Sequence, residues 1–216
     1  MLKGSMDTDA ALVIRLSRDL DAAFPALVAG HQDRLYTIAL RLLGDRRDAE
    51  EVAQDALVRA FRAMAGYPRE RIAALRLRPW LASIAVNLAR NRRRRIEDRR
   101  PPNQLEPLLE AGFDPPGDGR SRPDAARDRR ETQRELVAAL LRLTPAVRTA
   151  IVLRHVDGLS VAETAEALGR PEGTVKAQVH RGLRELRLLL EPTASSPQID
   201  NPPRPARLQP AMEALR

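Results

Sequence analysis

The stretch SVAETAEALGRPEGTVKAQVHRGL, residues 160–183, decides the predicted fold of the second half of the chain. Ser160 and Glu163 fit a capping box, in which a hydroxyl and a carboxylate satisfy the exposed amides of a first helical turn. Gly169 is suited to end that short helix because glycine tolerates the positive φ of a sharp turn, and Pro171 is suited to start another. The stretch therefore predicts two short helices joined by a tight turn.

The spacing of three small or apolar residues makes this pair of helices a predicted helix-turn-helix. Ala165 lets the two helices approach, Gly169 permits the turn, and Val175 fills the core between them. In such a motif the second helix enters the major groove of DNA, with its early residues nearest the bases. An ordinary helical hairpin is the alternative interpretation of the same pattern.

The apolar spacing of the second helix also separates an inner from an outer face. The residues predicted to point inward are Val175, Val179, Leu183 and Leu186, and those predicted to point outward are Lys176, Ala177, His180, Arg181 and Arg184. We expect Lys176 and Arg181 to contact guanine edges or phosphates, and Thr174 to bind the DNA backbone.

Positive charge is concentrated in two segments. Residues 86–100 carry seven arginines against two acidic residues, and residues 170–187 carry five basic residues against two acidic ones. The resulting +5 and +3 equal the formal charge of the whole chain, +8. Clustered cations favour a polyanion because binding releases its condensed counterions, so we predict two contact points for nucleic acid. A solvated helix end in an arginine-rich chain is the alternative for the first segment.

The first half of the chain is also predicted to be helical, because its apolar residues recur at three and four positions without sustained alternation. The predicted helices cover residues 10–20, 22–43 and 48–64, and a further helix begins at Pro79. One face of that last helix carries amide and guanidinium groups, at Ser83, Asn87, Arg90, Asn91 and Arg94. Such groups can hydrogen-bond base edges and phosphates together.

These patterns predict an all-α protein of two small helical domains joined by a flexible linker. The predicted segments are a helical domain at 1–96, the linker at 97–130, a helix-turn-helix domain at 131–191 and a disordered tail at 192–216. Twelve of the 17 prolines fall within 101–123 and 192–210, where few large apolar residues accompany them. Such segments cannot repay the entropy of ordering.

Composition excludes several classes of function. The chain has no cysteine and only three widely spaced histidines, so we expect no metal site and no cofactor. No catalytic constellation emerges from the sequence, and we therefore predict that the protein is not an enzyme. No apolar run approaches a membrane span, which leads us to expect a soluble protein of the cytoplasm.

Three motifs together resemble a known family. They are DAEEVAQDALVRAF at 48–61, RPWLASIAVN at 78–87, and GTVK at 173–176 followed by His180 and Arg181. In this order they resemble the sigma factors of bacterial RNA polymerase, of the sigma-70 family and the extracytoplasmic function (ECF) type. The similarity extends over roughly residues 10–95 and 130–190.

The resemblance implies a function for each domain. A protein of this family binds core RNA polymerase, directs it to promoter DNA and assists promoter opening, and an anti-sigma factor is an expected partner. The residues that the resemblance assigns to polymerase binding are Glu51, Gln54 and Asp55. Those assigned to the minus-10 element are Asn87, Arg90, Asn91 and Arg94, and those assigned to the minus-35 element are Lys176, Ala177, His180 and Arg181.

A stand-alone helix-turn-helix regulator is the alternative function. The acidic face of the helix at 48–64 argues against it, because a lone repressor does not need that face, although charged outer faces are common on surface helices. The sequence also departs from the family pattern, since Ala177 and Gln178 stand where Ser-Arg is frequent and Asn91 stands where Asp is frequent. Tyr67 is the best candidate for stacking on an unpaired base.

Overall fold

The computed structural model describes the backbone of residues 3–99 and 123–190, and the side chains of residues 9–98 and 131–190. The predicted tail at 192–216 and most of the predicted linker lie outside these residues. The described backbone is helical throughout its regular elements, without a strand, which confirms the all-α prediction. The first helices are α1 (Lys3–Arg18), α2 (Leu20–Leu43), α3 (Arg46–Ala65), α4 (Arg69–Ala73) and α5 (Leu77–Arg99). The later helices are α6 (Pro123–Arg142), α7 (Pro145–Ile151) with a π-helical turn at Val152–Val156, α8 (Val161–Leu168) and α9 (Glu172–Leu190).

Short polar side chains and glycine set the helix boundaries in the first unit. The side chain of Asp19 accepts a hydrogen bond from the Ala22 amide at the start of α2, and Gly44 ends that helix at a φ of 81°. Asp45 then caps α3 by accepting from the Asp48 amide at 2.9 Å. These caps satisfy backbone groups near the helix ends that lack a partner in the regular helical pattern. Only Gly44 and Asp45 separate α2 from α3, and the two helices pack against each other.

Helical structure enters both ends of the segment predicted as a linker. The helix α5 runs on to Arg99 and α6 already begins at Pro123. Near the end of α5, Arg93 Nε donates to Glu97 at 2.6 Å, an i,i+4 pair that supports helix. Of the six prolines at 101–123, Pro123 stands at the start of α6, where its missing amide costs little, and the other five lie outside the described residues.

The helix-turn-helix has the predicted local structure. Both hydrogen bonds of the Ser160–Glu163 capping box are present, Gly169 has a φ of 59°, and Val175 and Ala165 are both buried. Burial disfavours ionisation of Glu163, yet its hydrogen bonds with Ser160 and the nearby guanidinium groups hold the pKa of its carboxyl below the ordinary value.

One local prediction about this unit was wrong. Leu183 was predicted to point inward and is 42% exposed. Gly182 takes the inner place instead, because α9 approaches α7 there so closely that an added Cβ would lie 2.6 Å from Val147 Cγ1 and 2.7 Å from Ile151 Cγ1.

The two helical units also pack against each other, at a surface that we call the seam. Buried residues of both units form one continuous apolar cluster, in which α2 contacts α6, α7 and the π-helical turn, and α5 contacts α8. Gly44 lies against Leu141, because a Cβ added to Gly44 would lie 2.5 Å from a methyl carbon of Leu141. The units are therefore joined by packing as well as by the chain between them.

We predict that Gly182→Ala lowers the free energy of unfolding by about 1–3 kcal/mol, because the added methyl group overpacks the contact between α7 and α9. Gly173→Ala is the matched control in the same helix, since nothing lies within 4 Å of its Cβ position. The control should leave stability unchanged or raise it by about 0.5–1 kcal/mol. Urea unfolding measures both, and equal stability of the two variants would contradict this packing.

Candidate nucleic-acid and polymerase interface

The helix α5 presents one apolar and one polar face. Its apolar residues Leu81, Ala85 and Ala89 are buried, which fixes the rotation of the helix. The residues predicted to contact the minus-10 element are all exposed on the opposite side, namely Asn87, Arg90, Asn91 and Arg94. The described structure thus brings together four of the five polar side chains that the spacing had grouped, on a rigid element that can position them against DNA. The fifth, Ser83, is half-buried and donates its hydroxyl to the Trp80 carbonyl at 2.7 Å.

Part of the arginine run is engaged within the protein. Arg92 Nε donates to Asp48 at 2.7 Å, and Arg92 Nη1 lies 2.8 Å from a Glu51 carboxylate oxygen. The hydrogen bond with Asp48 raises the pKa of the Arg92 guanidinium above its ordinary value. Arg92 therefore ties α5 to α3, which the run of four arginines did not reveal.

The residues predicted to bind polymerase lie on one exposed stripe of α3. Glu51, Gln54 and Asp55 are all exposed, while Val52, Ala53 and Ala56 on the other side of the helix are buried. A groove between α3 and α5 is lined in part by Glu51, Asp55 and Asn91. Residues predicted for the two functions of the first unit thus meet along one groove.

The outer face of α9 is open as predicted. The exposed residues are Thr174, Lys176, Ala177, His180 and Arg181. Lys176 Nζ lies 3.8 Å from a Glu172 carboxylate oxygen, a weak exposed pair that leaves the ammonium group accessible. Gln178 accepts a hydrogen bond from Arg170 Nη1 at 3.0 Å and so braces the turn between α8 and α9.

Tyr67 is less available for base stacking than the sequence predicted. The guanidinium carbon of Arg71 lies 3.8 Å from the centre of the Tyr67 ring, and the ring of Trp80 lies 6.3 Å away. One face of Tyr67 therefore already carries a cation–π contact.

Sequence reasoning missed a buried arginine at the seam. Arg148 is 2% exposed and donates to the carbonyl oxygens of Leu140, Leu141, Leu143 and Leu42, at 2.8, 2.5, 2.9 and 3.0 Å. Burial lowers the pKa of this guanidinium to about 10, so it stays charged at neutral pH. The four carbonyls lie near the ends of α6 and α2, where the last backbone oxygens lack regular helical partners. The Leu140 oxygen also accepts from the Leu143 amide at 3.1 Å. The sequence did hold a signal for this buried arginine, because Arg148 stands among the apolar residues Val147, Ala150 and Ile151, which are all buried.

A buried carboxylate forms the second polar contact across the seam. Both oxygens of Asp157 pair with the Arg34 guanidinium, with 2.5 Å from Arg34 Nη2 to Asp157 Oδ2. Arg78 Nη2 donates to the Asp157 carbonyl at 2.6 Å, and the Arg78 carbonyl accepts from Arg34 at 3.1 Å. The Asp157 side chain is wholly buried, so this cluster of three residues fixes the register of the two units.

A more exposed ion-pair cluster borders the same seam. Arg76 lies 3.1 Å from Glu163 and 2.6 Å from Glu166, measured between side-chain nitrogen and oxygen atoms. Because Arg76 is half exposed, water screens these pairs and they contribute little to stability.

The described side chains, 9–98 and 131–190, include no group of acidic, histidine or cysteine residues that could hold a metal ion. Within the part of the chain that the structure covers, no helix is long and apolar enough to cross a membrane.

Comparison with known proteins identifies the family. The family model for sigma-70 region 2 matches residues 27–100, and the model for sigma-70 region 4 matches residues 133–186. The ECF RNA polymerase sigma factor SigW of Bacillus subtilis is 33% identical over 172 residues, which cover 76% of this chain and 87% of SigW. SigE of Mycolicibacterium smegmatis, also an ECF RNA polymerase sigma factor, is 35% identical over 169 residues, 77% of this chain and 62% of SigE. The chain therefore belongs to the sigma-70 family of RNA polymerase sigma factors, in its ECF group.

Solved structures show the same fold. CnrH, solved in complex with the cytosolic domain of CnrY, has a TM-score of 0.60 at 24% identity, over 84% of this chain and 96% of that chain. The sigma factor RpoE of Bartonella quintana, solved with the anti-sigma factor NepR, has a TM-score of 0.57 at 24% identity, over 77% and 96% of the two chains. Sigma factors are known as initiation factors without catalytic activity of their own.

We predict that Arg148→Met lowers the free energy of unfolding by about 3 kcal/mol or more, because it leaves buried carbonyl oxygens without a donor. Arg142→Met is the control, since Arg142 is exposed on α6, and it should change stability by less than about 0.5 kcal/mol. Thermal and urea unfolding measure the difference. A loss as small as that of the control would show that the Arg148 contacts are not formed in solution.

Proposed function

We propose that this ECF sigma factor binds core RNA polymerase through α3 and reads a promoter with α5 and α9. One observation carries the proposal: the twelve side chains assigned to polymerase and promoter are all exposed, while the opposite faces of the same three helices build the core. Exposed polar groups on helices that packing holds rigid are what specific recognition requires. The function of the family supplies the partners, which are core polymerase and promoter DNA.

Each face has chemistry suited to its partner. The stripe of Glu51, Gln54 and Asp55 is acidic and therefore complements a basic surface on polymerase. Asn87 and Asn91 on α5 offer amide donors and acceptors for bases, and the neighbouring arginines Arg90 and Arg94 offer charge for phosphates. On α9, Lys176, His180 and Arg181 supply donors along the helix that enters the groove, and Thr174 stands at its start.

An anti-sigma factor is a further proposed partner, because RpoE of Bartonella quintana, which has the same fold, was solved in complex with the anti-sigma factor NepR. The proposed site of action is the cytoplasm, where polymerase lies, and we propose no enzymatic activity for the chain itself.

Charge reversal on α3 tests polymerase binding. The double variant Glu51→Arg with Asp55→Arg should weaken binding to core polymerase by about tenfold or more, equivalent to about 1.4 kcal/mol. The matched control is Glu131→Arg with Glu135→Arg, which reverses two exposed carboxylates on α6. Titration of core polymerase into the fluorescently labelled chain measures both. Because Glu51 also pairs with Arg92, circular dichroism must first show that the double variant is folded. Full affinity in a folded variant would refute the assignment.

Substitutions that remove positive charge from α9 test whether this helix recognises the promoter. Lys176→Ala with Arg181→Ala should leave core binding intact and reduce transcription from a minus-35-dependent promoter by about tenfold or more. If both side chains contact phosphates, the slope of log affinity against log salt should fall by about 0.9 per contact. Reconstituted transcription with core polymerase measures the amount of transcript that each variant supports.

In the contrary outcome, the chain alone binds the promoter specifically while transcription does not depend on Lys176 and Arg181. That result would contradict the proposal and favour a stand-alone regulator.

A further inference from the structure

We propose that a cavity in the seam binds a small phosphate-bearing anion. The cavity has a volume of about 210 Å³ and lies between α5, the start of α7 and the turn before α9. Its lining includes four arginines, Arg90, Arg93, Arg148 and Arg170, and no acidic residue. Arg90 is also assigned to the minus-10 element, but that assignment does not account for Arg93, Arg148 and Arg170 in the same cavity.

The cationic groups of the cavity are close enough to affect one another. After burial itself, the positive charge of Arg93 is the main factor that lowers the pKa of Arg148. Glu97, which pairs with Arg93, offsets part of this repulsion, but one carboxylate does not balance four guanidinium groups around a partly apolar cavity, and the remaining repulsion costs free energy. An anion between these guanidinium groups would remove that cost.

Arg93, which lines the cavity, also has a hydrogen-bond donor without a partner. Arg93 Nη1 is buried and makes no hydrogen bond, whereas Arg93 Nε is engaged by Glu97 at 2.6 Å. A buried donor of this kind costs free energy until an acceptor reaches it. Guanidinium groups present several donors in a fixed plane, which matches the oxygens of a phosphate group.

The apolar part of the lining favours charge-assisted binding. The buried residues Leu42 and Val86 line the cavity together with the arginines, and apolar side chains lower the local dielectric. Charge-assisted hydrogen bonds are stronger in such surroundings than at an open surface. The cavity is larger than a single phosphate group and therefore much larger than a monoatomic anion. A diphosphate or a phosphorylated small molecule thus fits it better than a monoatomic anion does.

The cavity joins the two units of the protein. Arg90 and Arg93 come from α5, and Arg148 and Arg170 come from the helix-turn-helix unit. The site is complete only while the seam is closed. By linkage, an anion that binds there stabilises the closed arrangement and is released when the units separate.

Calorimetric titration of the full chain, without polymerase, tests the site with sodium pyrophosphate as the probe. At constant ionic strength, pyrophosphate should bind saturably at one site, and sodium acetate should not. Arg93→Gln with Arg170→Gln should weaken binding by about tenfold or more, because two of the four charges are lost. The control Arg142→Gln with Arg187→Gln removes two exposed charges away from the cavity and should leave binding unchanged. Absence of saturable binding, or equal weakening by both pairs, would overturn the proposal.

Two further arms separate the source of phosphate and the role of the seam. In one outcome, the native chain does not bind pyrophosphate, and the double variant Arg93→Gln with Arg170→Gln binds a DNA duplex of arbitrary sequence more weakly than the native chain does. The cavity arginines would then contact the DNA backbone, and the small-anion proposal would fail. Asp157→Asn weakens the seam without touching the cavity, so pyrophosphate affinity should fall in this variant also. Unchanged affinity in a folded Asp157→Asn chain would show that the site does not depend on closure.

Discussion

The buried guanidinium of Arg148 is the interaction on which the arrangement of the two units depends. It donates to backbone oxygens near the end of α6 and to the Leu42 oxygen near the end of α2. Helix ends carry unpaired carbonyls and partial negative charge, so a cation between two such ends satisfies both at once. An uncharged aliphatic side chain in its place would leave several of these acceptors without this donor. The Asp157 cluster then fixes the register of the units.

The arginines that join the two units and the basic residues assigned to DNA occupy different parts of this structure. The cations that hold the seam, Arg34, Arg78 and Arg148, are engaged with a carboxylate or with backbone oxygens. The cations assigned to promoter DNA stand on the outer faces of α5 and α9 and remain exposed while the seam is closed. Closure of the seam therefore uses different arginines from those assigned to DNA, although Arg90 lines the cavity between the units as well. An arginine-rich composition thus serves both architecture and recognition.

Sequence reasoning succeeded where the signal was local. The Ser160–Glu163 capping box, the left-handed Gly169 and the buried Val175 each follow from residues a few positions apart, and all were predicted. The exposed faces of α3, α5 and α9 also followed from helical periodicity. The seam could not be predicted, because Arg34 and Asp157 are separated by 123 positions and each looks like an ordinary surface charge. Gly182 was missed for the same reason, since only the approach of α7 explains it.

The distance between the two units in the free chain tests this account most directly. The chain has no cysteine, so Arg62→Cys on α3 and Arg142→Cys on α6 can be spin-labelled specifically at two exposed positions. Pulsed electron resonance should give one narrow distance distribution, which broadens when Arg148→Met is added. A broad distribution in the otherwise native chain would contradict the account, because it would mean that the linker alone connects the two units.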